Sequence, residues 1–86
     1  MNRGEAYLTL VHELQAWQQR PYSQLVDLVN QPTTETTVKL GEEVVTIRVE
    51  LQWANPKKGN IRIKATAYGP SCWKLERLEE SIVVSP

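Results

Sequence analysis

The segment from residue 43 to residue 53 constrains the fold most, because its side chains alternate between apolar and polar over the whole length. One face carries the apolar residues Val45, Ile47, Val49, Leu51 and Trp53. The other face carries Val44, Thr46, Arg48, Glu50 and Gln52. Alternation of this length is typical of a strand with one buried face and one face toward water. Such a strand needs neighbouring strands and a layer that covers its apolar face.

The flanking segments supply the neighbouring strands. Residues 33–40 alternate in the same way, and the Gly41-Glu42 pair that follows is typical of a type II′ hairpin turn. Residues 55–60 have the composition of a turn and lead into a third strand at 60–68. We predict a fourth strand at 73–78, with the apolar run 82–84 as its continuation or as a separate edge piece. The sequence therefore predicts an antiparallel meander of three or four strands.

Charge pairing across the strands supports this meander. A tight turn at residues 41–42 places Glu35 opposite Arg48. In the next hairpin, the register that aligns the apolar faces places Glu50 opposite Lys64, and a two-residue slip places it opposite Arg62 instead. Each of these pairs joins opposite charges, which contributes about 0.2–1 kcal/mol per pair.

The first third of the chain has the periodicity of two helices. Between residues 5 and 19 an apolar stripe recurs at helical spacing, at Tyr7, Leu10, Val11, Leu14 and Trp17. Pro21 ends this helix and begins a second one at 21–30. We expect both helices to pack on one face of the sheet, in an α+β fold, with the closest approach at the small residues Ala65 and Ala67.

Length and composition predict a single domain over residues 1–86. Hydrophobic residues make up 41% of the chain, and ten basic residues balance ten acidic ones. A net charge of zero gives no overall attraction to nucleic acid or to a membrane. The single cysteine, Cys72, forms no intramolecular disulfide, and no apolar segment approaches the length of about 18 residues that spans a bilayer. We therefore expect a cytoplasmic protein.

The residues that usually carry catalysis or bind metals are sparse. His12 is the only histidine, and nothing in the sequence brings it near Cys72. The acidic pairs 42–43 and 79–80 consist of adjacent residues, which usually solvate a turn rather than face each other across a cleft. No glycine-rich phosphate loop is present. We predict a protein that is not an enzyme, with no catalytic residues, no metal site and no cofactor.

A basic stretch separates Glu50 from Glu76, with no acidic residue between them. Basic side chains next to aromatic ones on a sheet are typical of single-stranded nucleic-acid binding, in which bases stack and phosphates are paired. The candidate residues for such a surface are Lys57, Lys58, Arg62, Lys64 and Tyr68. Against this, Glu50 neutralises part of the same face, and lysines in a hairpin turn usually serve solubility.

The apolar run of Ile82, Val83 and Val84 near the end of the chain is a candidate interface. An apolar edge strand is a site at which another chain can pair. The alternative is that this run closes the domain's own core. Our leading hypothesis is a small non-catalytic interaction or accessory domain that acts through a protein partner or as a homodimer, and nucleic-acid binding is the alternative.

Three short segments resemble a family of small bacterial proteins that has no assigned activity. They are Pro21-Tyr22 with Leu25-Val26, then Gly59-Asn60-Ile61-Arg62, and finally Ile82-Val83-Val84-Ser85-Pro86. The resemblance implies a bacterial, cytosolic and self-contained domain. Because the family has no assigned activity, the resemblance implies no functional residues.

Overall fold

A computed structural model of the chain describes residues 3–55, 59–69 and 77–86. The elements are α1 (Arg3–Gln18), α2 (Tyr22–Leu28), β1 (Thr34–Leu40), β2 (Glu43–Trp53), β3 (Ile61–Tyr68) and β4 (Arg77–Val84). The strands form one antiparallel sheet in the order β1-β2-β3-β4. The predicted α+β class, with two N-terminal helices and a four-stranded meander, is confirmed. Within the described ranges, no helix combines the length and the apolar character that a membrane span needs.

The strand registers follow the charge pairing of the sequence. Glu35 lies opposite Arg48, and Glu50 lies opposite Lys64 rather than Arg62. Each of the three strand pairs keeps one continuous register without a bulge. In the β1–β2 turn only Gly41 is left-handed, with φ +64°, as a type II′ turn requires at its first central position.

The core lies between the helices and one face of the sheet. It contains the buried side chains Leu10, Leu14, Trp17, Leu25, Val29, Val45, Ile47, Val49, Ile61, Ile63, Ala65 and Ala67. Helix α1 packs against β3 and β4. Ala65 and Ala67 are fully buried on β3, as we expect where a helix approaches a sheet closely. We call the helix-covered side of the sheet the inner face and the opposite side the outer face.

The buried stripe of α1 differs from the predicted one at its first turn. Ala6 is fully buried, whereas Tyr7 keeps 47% of its surface exposed. Ala6, Leu10 and Leu14 follow one another at four-residue spacing, so they lie on the same side of the helix. A small alanine gives a weak hydrophobic signal in a sequence, whereas the larger Tyr7 gives a strong one, so the sequence predicts Tyr7 rather than Ala6 in the stripe.

Helix α2 is shorter than the predicted segment 21–30, and backbone geometry explains both of its ends. Pro21 has φ −58° and ψ 143° outside the helix, and its carbonyl accepts hydrogen bonds from the amides of Gln24 and Leu25. At the other end Val29 is extended, and Asn30 is left-handed with φ +71°. The helix has therefore ended before Asn30, and asparagine is one of the few residues that adopt the left-handed conformation readily.

The described part of the fourth strand joins the end of the predicted segment 73–78 to the run 82–84. Residues 73–76 fall outside the described residues, and the observed strand runs without a break from Arg77 to Val84. The run 82–84 is therefore the second half of β4 and not a separate edge piece. Glu80 takes an inner-face position opposite Ala65. This charge interrupts the apolar alternation, so the sequence alone does not show that the run 82–84 continues the strand.

Candidate interaction surfaces

The outer face of the sheet is covered by neither of the two described helices and is rich in charge. Its charged side chains, assigned by alternation from the buried positions, are Glu35, Lys39, Arg48, Glu50, Arg62, Lys64, Arg77 and Glu79. Three of the nucleic-acid candidates, Arg62, Lys64 and Tyr68, share this face on β3. The other two, at positions 57 and 58, lie outside the described residues.

Glu79 is the centre of one ion-pair cluster on the outer face. Its Oε1 lies 2.8 Å from Lys64 Nζ, and its Oε2 lies 3.8 Å from a terminal guanidinium nitrogen of Arg77. The hydrogen bond with Lys64 lowers the pKa of the Glu79 carboxyl group. The same bond raises the pKa of the Lys64 ammonium group. Lys64 is therefore engaged within the domain.

Tyr68 lies between two arginines. A side-chain hydrogen bond with Tyr68 is the main cause that raises the pKa of Arg48, and the nearby carboxylate of Glu50 adds to it. Arg48 Nε lies 3.4 Å from Glu50 Oε1, in a contact without hydrogen-bond geometry. On the other side, the guanidinium of Arg77 lies 6.0 Å from the Tyr68 ring centroid. Both the hydroxyl group and the ring of Tyr68 thus have neighbours inside the domain.

Among the described candidates, this arrangement leaves one cation free for a nucleic acid. Arg62 is exposed, lies between Gln52 and Val83 in the sheet register, and has no ion pair in the part of the chain that the structure describes. Lys64 and Tyr68 already bind neighbours on the same face. Of the three candidates whose side chains are described, Arg62 alone combines exposure with an unpaired charge.

The three candidate interface residues on β4 lie on two different faces. Ile82 and Val84 are half-buried on the inner face, where they pack against the core beside Ile63 and Ile61. Val83 is on the outer face and keeps 49% of its surface exposed. These positions favour a structural role for Ile82 and Val84 and leave Val83 available to a partner.

The two edges of the sheet differ in how well they are protected. The outer edge of β4 carries an inward-pointing charge, Glu80, between Leu78 and Ile82. Inward charges on an edge strand oppose pairing with another chain, because a docked strand would bury them. Helix α1 also packs against β4.

The edge formed by β1 has less protection. All the side chains from Thr34 to Thr37 are exposed on both faces, so neither helix covers this half of the strand. The inner-face positions of β1 hold only uncharged residues, the strand contains no proline, and its register with β2 has no bulge. No described strand pairs with its outer edge. The sequence did not indicate this edge as an interface, because β1 has few apolar residues.

The remaining candidate residues are dispersed. His12 is exposed on α1, and Cys72 lies outside the described residues. Glu79 and Glu80 point to opposite faces of the sheet, as adjacent residues of a strand must. Glu42 lies in the β1–β2 turn and is exposed. Among the described residues, these groups do not come together into a cluster.

Comparisons of this chain with protein-family models, with curated proteins and with solved structures found no match. The resemblance to a family of small bacterial proteins therefore stays a prediction.

Proposed function

We propose that this domain is a non-catalytic protein-interaction module that binds an extended segment of a partner along the free edge of β1. The observation that carries the proposal is the contrast between the two sheet edges. The β4 edge has an inward charge, whereas the β1 edge is exposed from Thr34 to Thr37 and lacks such a charge. Binding at the β1 edge would extend the sheet by one strand.

Backbone chemistry explains why such an edge attracts a partner. An edge strand presents unpaired N–H and C=O groups, and an added strand satisfies them through the same ladder that joins the other strands. The seven residues of β1 match the usual length of a strand. Affinity comes from these main-chain bonds, and selectivity comes from the side chains at alternate positions.

The uncovered inner-face positions of β1 give a partner strand room to dock. Thr34 and Thr36 point to the helix side of the sheet, yet both are exposed. An incoming strand therefore meets threonine side chains, which are well suited to strand surfaces. On the outer face it meets Glu35, Thr37 and Lys39, so the β1 edge presents both signs of charge.

Nucleic-acid binding stays the second proposal and has weaker support. It needs free cations and stacking surfaces, whereas Lys64 pairs with Glu79 and Tyr68 bonds with Arg48. The exposed guanidinium of Arg62 is the described feature that favours it. The edge proposal uses a larger and continuous part of the surface.

A panning experiment with displayed peptides tests the edge proposal without a known partner. A library of nine-residue peptides is selected on the wild-type domain, on Thr36→Glu and on Ser81→Glu. Thr36→Glu places on β1 the kind of inward charge that β4 already has, and Ser81→Glu places the same charge on an exposed outer-face position of β4. We expect alternating, extended peptides to bind the wild type and Ser81→Glu but not Thr36→Glu. An absence of enriched peptides, or equal binding to all three proteins, would overturn the proposal.

A further inference from the structure

We propose that the occupant of the β1 edge is a second copy of this chain, paired antiparallel about Thr37. This inference rests on the proposed function, because it needs the same free edge, and it adds the identity of the partner. The evidence is that the charged side chains of β1 match those of a second, antiparallel copy of β1.

Symmetry restricts how two copies of β1 can pair. A two-fold axis perpendicular to the sheet joins two antiparallel edge strands into one continuous sheet, and it keeps each side chain on its own face. One residue must then face itself across the axis. With Thr37 at that position, all seven residues of β1 are paired. The product is a sheet that joins the four described strands of each protomer, with the described helices of both protomers on one side.

This register also pairs opposite charges. Glu35 of one protomer faces Lys39 of the other on the outer face, and the symmetry repeats the pair on the opposite side of the axis. Thr37 faces its own copy between them. Threonine pairs and opposite-charge pairs both stabilise antiparallel strands.

Other registers of β1 lose this complementarity. Moving the two-fold axis by two residues in either direction places Glu35 or Lys39 on the axis. That residue then faces its own copy, and the like charges repel each other. A one-residue slip of the axis to Thr36 or Val38 leaves Glu35 and Lys39 without a charged partner on the other strand. The register that pairs all seven residues of β1 is therefore also the one that pairs Glu35 with Lys39.

The β4 edge lacks such self-complementarity. Two registers pair seven of its eight residues with a second copy. One of them has Glu80 facing its own copy on the inner face, and the other has Glu79 opposite Val83 and Glu80 opposite Ile82. Neither register matches opposite charges, so the symmetric interface belongs to β1.

Charge reversal gives a sharp test, because each single change turns both charge pairs into repulsive ones. The dissociation constants of the wild type, Glu35→Lys and Lys39→Glu are measured by sedimentation equilibrium up to about 1 mM protein, the concentration at which weak complexes still form. We expect a wild-type dimer, and for each variant a dissociation constant raised about tenfold or more, which corresponds to about 1.4 kcal/mol. Lys39 faces Val44 within its own domain, so Lys39→Glu keeps the test valid if Glu35→Lys disturbs its contact with Arg48.

The two variants also rescue each other if the register is correct. In an equimolar mixture, Glu35→Lys supplies two lysines to the seam and Lys39→Glu supplies two glutamates, so a heterodimer recovers both attractive pairs. The double variant Glu35→Lys/Lys39→Glu recovers them in a homodimer. Dimers of the mixture and of the double variant, with monomers of each single variant, support the proposal. A monomeric wild type, or variants that dimerise as the wild type does, would overturn it.

The same measurements separate this inference from the proposed function. The wild type could stay monomeric while its β1 edge still selects peptides that Thr36→Glu no longer binds. That result would exclude a second copy as the partner but would still support the proposed interaction module. A dimer that neither the charge variants nor Thr36→Glu weakens removes the β1 edge from both proposals.

Discussion

Lys64 and Glu79 form the shortest ion pair described on the outer face, although they are not directly opposite each other. Lys64 faces Ser81 in the β3–β4 register, and Glu79 faces Thr66, so the 2.8 Å contact between Nζ and Oε1 runs diagonally. Diagonal neighbours are within reach of long side chains. Thr66 lies beside this contact and is buried on the outer face, because long side chains flank its short one.

The ion pair predicts how stability depends on acid. Because the folded state lowers the pKa of Glu79, its stabilising contribution is present above the ordinary glutamate pKa and is lost as the pH falls through the lower, folded value. We expect Glu79→Gln to lose less unfolding free energy than the wild type between about pH 6 and about pH 3. Urea denaturation at several pH values measures this difference.

Glu42→Gln is the matched control for that measurement. Glu42 is exposed in the β1–β2 turn, and no ion pair in the described residues involves it. The Glu42→Gln variant should therefore lose as much unfolding free energy on acidification as the wild type does. If the unfolding free energy of Glu79→Gln depends on pH as that of the wild type does, the contact of Glu79 with Lys64 does not stabilise the fold.

The core of α1 predicts a contrast between two leucines of the same helix. Leu10 has no exposed surface, whereas Leu8 keeps 57% of its surface exposed. Leu10→Ala should lower the free energy of unfolding by about 2–5 kcal/mol, because it removes buried methyl groups and leaves a cavity. Leu8→Ala should change it by less than about 0.5 kcal/mol. Equal losses in chemical denaturation would mean that α1 packs through another face.

The β4 residues predicted as an interface give a second contrast. Ile82→Asp places a carboxylate beside the buried Ile63 and should cost about 2 kcal/mol or more. Val83→Asp places it on the outer face opposite Arg62 and should leave the fold intact. Thermal unfolding of the two variants measures the difference. If Ile82→Asp keeps the wild-type stability but loses association, the β4 edge and not β1 is the interface.

Nucleic-acid binding makes a separate prediction about salt. If the basic region binds a single-stranded oligonucleotide, affinity must fall steeply as salt rises, because phosphate contacts release counterions. The Lys57→Glu/Lys58→Glu double variant would then abolish binding. We expect weak binding at most, since Lys64 is paired with Glu79. Salt-sensitive binding that disappears in this variant, measured by fluorescence anisotropy, would favour the nucleic-acid proposal instead.

The sequence was informative where alternation and turn chemistry agree. The boundaries of β2 match the predicted segment 43–53, and the register of the first hairpin followed from its tight turn. For the second hairpin the sequence left two registers open, and the structure has the one that places Glu50 opposite Lys64. The sequence was less informative where one residue departs from its pattern. Glu80 on the inner face interrupts the alternation of β4, so the sequence leaves open whether the run 82–84 continues that strand. The small Ala6 gives a weaker hydrophobic signal than Tyr7, so the sequence predicts Tyr7 in the helical stripe.

The candidate surfaces needed the structure for a different reason. The Arg48–Tyr68 and Lys64–Glu79 contacts depend on side-chain conformations and diagonal distances, which a linear pattern does not contain. Whether β1 is free depends on how far the helices extend over the sheet. The exposure of Thr34 and Thr36 shows that they stop short of the first half of this strand.

Oxidative cross-linking at Thr37 tests the central claim most directly. In a Cys72→Ser background, Thr37→Cys is compared with Ser81→Cys, since both positions are exposed on the outer faces of edge strands. Facing residues of paired antiparallel strands have Cα atoms about 4.5–5.5 Å apart, within the range of about 4.4–6.8 Å that a disulfide spans. Rapid formation of a covalent dimer by Thr37→Cys, and slow formation by Ser81→Cys, is the predicted result. Equal rates, or faster cross-linking at position 81, would contradict pairing through β1.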